Sequence, residues 1–361
     1  MRKVLHVSHS LDTGGGPLYI KKIIQDIPMI DHYVAGNTGY YYFLFRELLG
    51  DHKVKLLHGK NLLRNILVLK RICKEKSISV IHCHGRGAAL YSRLLKIINP
   101  KLKIVYTVHG FHPDTLNAVN KALYIFMERI LYHLTDVVIN VSLSERERFI
   151  EKIKPAEKQK IHYIPNYIAS NDIQPQPLAF EVDSNAMNFL YVGRLSPEKG
   201  IDILLEAWAK IQDEKCKLYI IGYGPLETLI PNQIKNTNIV YLGKVENARS
   251  FLGHFHALII PSRFEGMPYV GLEAMMSKTC VIVTPAVGIT DLFTADTSYM
   301  ASDFSAKSLF DAIKTFVDDF KRNPKKIEEK IERNYERAQN EFSLENASKI
   351  YDIYNSLSNQ S

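Results

Sequence analysis

Short apolar runs rich in β-branched residues alternate with longer amphipathic stretches along this chain, and they do so twice. In the first half, Val4–Ser8, Ser79–His82, Lys103–Val108 and Val137–Val141 have the make-up of buried strands. Leu62–Lys76 and Asn120–Thr135 place apolar residues at helical spacing. Strands alternating with helices build parallel βαβ units covered on both faces. The pattern lapses over Ile168–Asn188, where Pro175, Pro177 and several Asn, Asp and Ser mark a linker. It resumes with strands at Phe189–Val192, Lys217–Ile221, Ile239–Tyr241, Ala257–Ile260 and Val281–Val283, and helices at Gly200–Ile211 and Pro268–Ser277. A chain of 361 residues is long enough for two domains of roughly 100–200 residues each. We therefore expect an α/β protein of two Rossmann-like, doubly wound domains, residues 1–168 and 169–342. Ligands of such domains bind beyond the carboxyl ends of the strands, so a cleft between two facing domains is the expected site.

Several classes are disfavoured. The longest apolar runs, such as Val137–Val141 and Ala257–Pro261, fall far short of the ~20 residues that span a bilayer. The N-terminus is basic and then apolar, but His6, Ser8, His9 and Asp12 break the run, so it reads as a first strand and not a signal peptide. Cys73, Cys83, Cys216 and Cys280 form no CxxC pair, which fits a reducing cytoplasm and no zinc site. The net charge is +8 and uneven: residues 1–170 hold 26 Lys and Arg against 13 acids, the remainder 20 against 25. A basic first half suits an anionic membrane surface or a phosphorylated acceptor, or else is a solvated surface. Nucleic acid is disfavoured, because no recognition motif accompanies the charge and the second half is acidic.

The strongest constellation follows the strand Ala257–Ile260. It runs Arg263-Phe264-Glu265-Gly266-Met267-Pro268-Tyr269-Val270-Gly271-Leu272-Glu273. Gly266 and Pro268 shape a turn into a helix, whose free N–H groups make a ready site for a diphosphate. Glu273 lies eight residues after Glu265, about two turns at ~3.6 residues per turn. The two carboxylates can take hydroxyls of a sugar and a ribose on either side of the diphosphate, or else face solvent on an ordinary helix. A second element runs from Gly193 to Gly200. Arg194 leaves a strand end and Lys199 stands at a helix start, two cations able to balance a departing diphosphate. Gly222 and Gly224 follow the strand Lys217–Ile221 and either admit a nucleotide or form a plain turn. In the first half, Gly14-Gly15-Gly16 permits close backbone approach without the dinucleotide spacing. His109 ends another strand. His82 and His84 flank Cys83, but no third ligand has metal-site spacing. Ser142-Leu143-Ser144-Glu145 reads as a helix cap.

Taken together, these elements resemble glycosyltransferase family 4, the retaining enzymes of the GT-B fold. That family's second domain carries G-R-L-x-x-x-K-G, then G-x-G-P, then E-G-x-P with a second Glu completing E-x7-E. Gly193–Gly200, Gly222-Tyr223-Gly224-Pro225 and Glu265…Glu273 occur here in that order. The resemblance implies that Arg194 and Lys199 bind the donor diphosphate and that Glu273 holds the ribose. It also implies that Glu265 contacts the donor sugar and that Met267, Pro268, Tyr269 and Val270 line the donor. Gly15, Gly16, Gly222 and Gly224 would approach the nucleotide or its phosphates. His109 would approach the sugar at the reaction centre, making His109 and Glu265 the catalytic candidates. The C-terminal helix, within 343–361, would cross back to complete the first domain. Departures exist. The family's G-G-x-E loop is Gly14-Gly15-Gly16-Pro17 here, without the Glu. Tyr167 replaces a Gly after Pro165-Asn166, and Ala286–Asp291 keeps a single Gly of a G-G-I-P-E turn.

The expected function is transfer, with retention, of a hexosyl or N-acetylhexosaminyl group from a nucleoside-diphosphate sugar. UDP is the favoured nucleotide by family frequency. The expected acceptor is a glycan or a polyprenyl-diphosphate-linked glycan in bacterial surface polysaccharide synthesis, met in the cytoplasm or at the inner face of the membrane. No cofactor or metal is expected, because no DxD-type motif stands out and the two cations can do that work. A nucleotide-sugar-binding protein without turnover and a GT-B-like UDP-sugar epimerase remain alternatives.

Overall fold

The computed structural model describes residues 1–174, 176–231 and 238–358. Pro175 of the linker and the last three residues of the C-terminal segment lie outside the described residues. The chain forms two compact units. One comprises Met1–Asn166 with the segment from Leu344 onward, the other Tyr167–Ser343.

The sheet of the first unit has strands β1 (Arg2–Ser10), β2 (Ile30–Asn37), β3 (Val54–Leu56), β4 (Val80–His84), β5 (Lys103–Thr107), β6 (Val137–Asn140) and β7 (Ile161–Tyr163). Their order is β3-β2-β1-β4-β5-β6-β7, with every recorded pairing parallel. The chain winds outward from β1 in one direction, then returns to β4 and winds in the other. β1 and β4 therefore flank the switch point, beyond which a doubly wound sheet takes its ligand. Helices α1 (Gly15–Asp26), α2 (Tyr40–Leu49), α3 (Leu62–Lys76), α4 (Gly85–Ile98), α5 (Ala118–Tyr132) and α6 (Leu143–Ile153) connect the strands. Covered on both faces, β4 is buried along its whole length, as parallel strands are. The first helix starts at Gly15, two residues before Pro17. Ser142 caps α6 by accepting from the Glu145 N–H at 3.2 Å.

The second unit repeats the plan with β8 (Met187–Val192), β9 (Cys216–Ile221), β10 (Ile239–Gly243), β11 (Ala257–Ile260), β12 (Cys280–Val283) and β13 (Tyr299–Met300). Their order, β10-β9-β8-β11-β12-β13, puts the switch point between β8 and β11. Gly200 is left-handed, φ 67°, and separates a 3-10 turn at Pro197–Lys199 from α7 (Ile201–Trp208), which fills only part of the expected span Gly200–Ile211. After α8 (Tyr269–Met276) and the single turn α9 (Ile289–Leu292) come α10 (Ala306–Arg322) and α11 (Pro324–Glu341). Helix α10 buries Leu309, Ala312, Ile313, Phe316 and Val317, the stripe its spacing calls for. Helix α12 (Glu345–Ser358) belongs to the first unit. It buries Ala347, Ile350, Ile353, Tyr354 and Leu357, and Arg2 donates to Asn355.

Candidate functional site

The residues singled out in the second half gather at the carboxyl ends of β8, β9 and β11, on both sides of its switch point. Glu265 is nine-tenths buried. Both oxygens of its carboxylate meet Lys199, whose Nζ lies 2.6 Å from Oε1 and 2.8 Å from Oε2. Ser262 donates to the same Oε1 at 2.7 Å. A carboxylate held by an ammonium and a hydroxyl is fixed in place, and Lys199 keeps a third of its side-chain surface open to solvent. That leaves the ammonium able to meet an anion while still holding Glu265. Arg194 is exposed, and among the described residues it makes no ion pair. Arg263, its neighbour in the motif, instead makes a bidentate pair with Asp202, at 2.8 and 2.6 Å, and ties the loop to Pro197.

The turn after β11 runs through Met267 and Pro268 into α8, with Pro268 at the cap, φ −73°. Tyr269 and Val270 are its first residues. Glu273 lies on α8, mostly buried, with Arg249 at 3.9 Å. The turn is itself supported from behind. The Glu265 N–H donates to the Val287 carbonyl at 3.2 Å. A Cβ on Gly288 would stand 2.1 Å from the Gly266 carbonyl. The one glycine that the Ala286–Asp291 turn keeps is the sequence signal for this support.

Gly222 and Gly224 are required by the protein's own backbone. A Cβ on Gly222, φ 143°, would lie 1.8 Å from the Gly193 carbonyl, and one on Gly224 2.5 Å from the Leu195 carbonyl. These glycines pack the loop after β9 onto the loop that carries Arg194. The plain-turn reading accounts for them without a nucleotide.

In the first unit, Gly15, Gly16 and His109 come together at the carboxyl ends of β1 and β5. A Cβ on Gly16 would sit 4.0 Å from the His109 ring, and Tyr19 packs edge-on to that ring with centroids 4.9 Å apart. His109 has φ 55°, the left-handed region that non-glycine residues seldom adopt. Backbone strain of this kind costs ~1–3 kcal/mol and is concentrated at functional sites. His109 and Glu265 thus lie in different units.

Sequence reasoning missed what stands behind His109. His6, His32 and His84, all buried, line up with it across the adjacent strands β2, β1 and β4. His6 also lies with His82 and His84 in a group whose ligand atoms fall within 4.8 Å of one another, the third histidine that spacing along the chain could not reveal. All six ring nitrogens of these three are already in hydrogen bonds. His82 meets the Tyr354 hydroxyl at 2.6 Å and Thr107 at 2.7 Å; His6 meets His84 and His32; His84 meets His6 and His109. The network satisfies the cluster without an ion. Burial pushes His109 down to about 3 and His32 to about 4, and holds His6, His82 and His84 well below the usual range. Glu145 is buried below the same loop and accepts from Asn140 and Val141, both at 3.3 Å; burial pushes its carboxyl up to about 7.

Two parallel doubly wound units with ligand-competent residues at their switch points are the composition of the GT-B fold. The comparisons agree. The family model described as Glycosyltransferase Family 4 matches residues 35–171, and the one described as Glycosyl transferases group 1 matches residues 186–319. The chain belongs to this glycosyltransferase family. It is 28 % identical over 225 residues to the O-antigen biosynthesis glycosyltransferase WbnH of Escherichia coli, covering 62 % of this chain and 63 % of the relative, just under two thirds. It is 25 % identical over 307 residues to the capsular polysaccharide biosynthesis glycosyltransferase CapM of Staphylococcus aureus, covering 79 % and 77 %. Anabaena Alr3699/HepE, solved in complex with UDP and glucose, shares the fold at a TM-score of 0.82, with 17 % identity and coverage of 99 % and 100 %.

Among the described residues, no helix is long and apolar enough to cross a membrane.

Proposed function

We propose that this chain transfers a sugar, with retention of configuration, from a nucleoside-diphosphate donor to a glycan or lipid-linked acceptor in bacterial surface polysaccharide synthesis. The convergence of Lys199 and Ser262 on Glu265, beside the start of α8, is the observation that carries the reading. In this mechanism Arg194, Lys199 and the helix start offset the charge that gathers on the departing diphosphate, without a metal. Glu273 holds the ribose, and Glu265 positions the sugar and stabilises developing positive charge. UDP is the favoured donor nucleotide, in line with the UDP in the HepE complex. The polysaccharide context is supported by the names of the O-antigen and capsular relatives.

Calorimetry against UDP, GDP, ADP and their sugars tests the donor. Binding of one diphosphate, lost in Glu273→Ala, is the expected outcome. With the cognate donor, Lys199→Ala and Arg194→Ala should each lower kcat by ~10²–10³-fold, the scale of one preorganised charge-stabilising group. Unchanged turnover in both would sink the mechanism. Binding without turnover on any acceptor would favour a non-catalytic binding protein, a reading the missing Glu of the Gly14–Gly16 loop keeps alive.

We further propose that the acceptor is met at an anionic membrane surface on the cytoplasmic face. Helix α5 exposes Val119, Leu123, Phe126, Met127 and Ile130 at helical spacing, within the strongly basic first half. Apolar area combined with basic charge binds anionic lipid interfaces. The protein should co-sediment with phosphatidylglycerol liposomes at low salt, and Leu123→Asp with Phe126→Asp should abolish it. Equal sedimentation of that double variant would remove α5 from the interface.

A further inference from the structure

Four imidazoles form one hydrogen-bonded row across the first sheet. It begins at a backbone carbonyl, where His32 Nε2 lies 2.9 Å from the Ile27 oxygen at the end of α1. His32 Nδ1 then meets His6 Nε2 at 3.0 Å. His6 Nδ1 meets His84 Nε2 at 3.2 Å, and His84 Nδ1 meets His109 Nε2 at 3.2 Å. Each strand contributes one ring, in the spatial order β2, β1, β4 and the loop after β5.

We propose that this row fixes the tautomer of His109, so that His109 carries its proton on Nε2 and presents an unprotonated Nδ1 to a ligand. The argument is one of donors and acceptors. A neutral imidazole donates from one nitrogen and accepts at the other. A carbonyl oxygen only accepts, so His32 must donate from Nε2 and its Nδ1 carries a lone pair. His6 must then donate from Nε2 into that lone pair, and its own Nδ1 accepts. The same step repeats at His84 and ends at His109, giving Nε2–H in all four rings. Reversing the row would set the His32 lone pair against the Ile27 carbonyl, leaving two buried acceptors face to face. A buried acceptor left without a donor keeps the full cost of its lost hydration, which selects the forward direction. The row is therefore a one-way lock, unlike a proton wire, whose two directions would be equivalent.

His32, His6 and His84 are positioning residues on this reading. They would make the outer face of His109 a hydrogen-bond acceptor, matched to a hydroxyl donor such as a sugar O–H. Among the described residues no partner is recorded for His109 Nδ1, and His82 stands outside the row because both of its partners are hydroxyls that can donate or accept. The role of the outer nitrogen rests on the glycosyltransferase reading; the tautomer does not.

Two-bond ¹H–¹⁵N correlation of the histidine rings in the full chain at pH 7.5 reads each tautomer directly. Nε2–H at His6, His32, His84 and His109 is expected in the wild-type protein, and Nδ1–H at any of them overturns the proposal. His32→Leu removes the anchor, so the His109 Nδ1 resonance should move upfield as an Nδ1–H population appears. His32→Asn puts an amide oxygen near the place of Nδ1 and should restore the wild-type pattern. An unmoved His109 pattern in a folded His32→Leu variant would overturn the coupling. A protein inactive on every donor but showing the four Nε2–H rings would refute the enzyme reading alone.

Discussion

Replacing Glu128 with alanine is expected to destabilise the first unit by about 3–5 kcal/mol, the cost of orphaning a buried charge. Arg93 on α4 and Glu128 on α5 have side chains 1 % and 2 % exposed. They form a bidentate pair at 2.9 and 2.8 Å, and the Arg93 Nε donates to the Ala89 carbonyl at 3.0 Å. The guanidinium also lies over the Tyr106 ring, 4.7 Å from its centroid. Burial works against the Arg93 charge, and the Glu128 carboxylate outweighs it, so Arg93 stays protonated well above its ordinary value. Without Glu128 only the Ala89 carbonyl and the Tyr106 ring are left to offset that burial. Net stability of a domain is ~5–15 kcal/mol, so the loss is a large share of it. Removing both charges should be far milder: Arg93→Met with Glu128→Leu is expected to recover most of the loss, because an apolar pair of similar volume avoids the desolvation. Urea unfolding of the three variants checks this. A Glu128→Ala loss under 1 kcal/mol, or a double variant as weak as the single, would refute it. The pair matters to α5 in particular, because Glu128, Leu131 and Tyr132 are the helix's only buried residues, and its apolar stripe faces outward.

Acidification should unfold the first unit well before its carboxylates alone would. His32 and His109 titrate in the fold near 4 and 3, against ~6.5 in an unfolded chain. Below pH 6.5 the unfolded chain takes up protons that the folded rings refuse, so stability falls as pH falls, by ~1.4 kcal/mol per pH unit per group. His6, His82 and His84 act in the same direction. Glu145, pushed up to about 7, opposes them: the fold keeps its proton where the unfolded chain has lost it, so its contribution falls as pH rises from ~4.5 to 7. The groups facing the row, Tyr19 from α1 and Tyr354 from α12, stay neutral throughout. His32 and His109 together, less Glu145, give a loss of about 2 kcal/mol between pH 6.5 and 4.5, and the other three histidines deepen it. Urea midpoints that stay flat over that range would show that the cluster takes up protons without unfolding.

Legibility along the chain differed by element for physical reasons. The strand Ala257–Ile260 is an unbroken apolar run, and Val137–Val141 is apolar apart from Asn140, because a central parallel strand is covered on both faces. Strand β2 was not read, because His32, Tyr33, Gly36 and Asn37 interrupt its apolar character. Those interruptions are His32 turned into the histidine row and Gly36 under Leu11, whose side chain a Cβ would meet at 2.5 Å. The left-handed turn at Gly200, just before α7, follows from contact and not from propensity: Gly200 passes so near Pro261 that a Cβ would stand 1.9 Å from its carbonyl.

What the sequence determined by itself was the α/β alternation, its repetition, the order of the motif elements and the cations and carboxylates they carry, since each is written in local spacing. Tertiary structure decided which of those groups meet. Lys199 and Glu265 are 66 residues apart and in contact; Arg263, next to them in the motif, is taken up by Asp202 instead. The histidine row was beyond sequence reasoning for the same reason: its members sit on three strands and the loop after β5, whose spatial order is not their order in the chain, and only the pairing of β1 with both β2 and β4 sets them ring to ring.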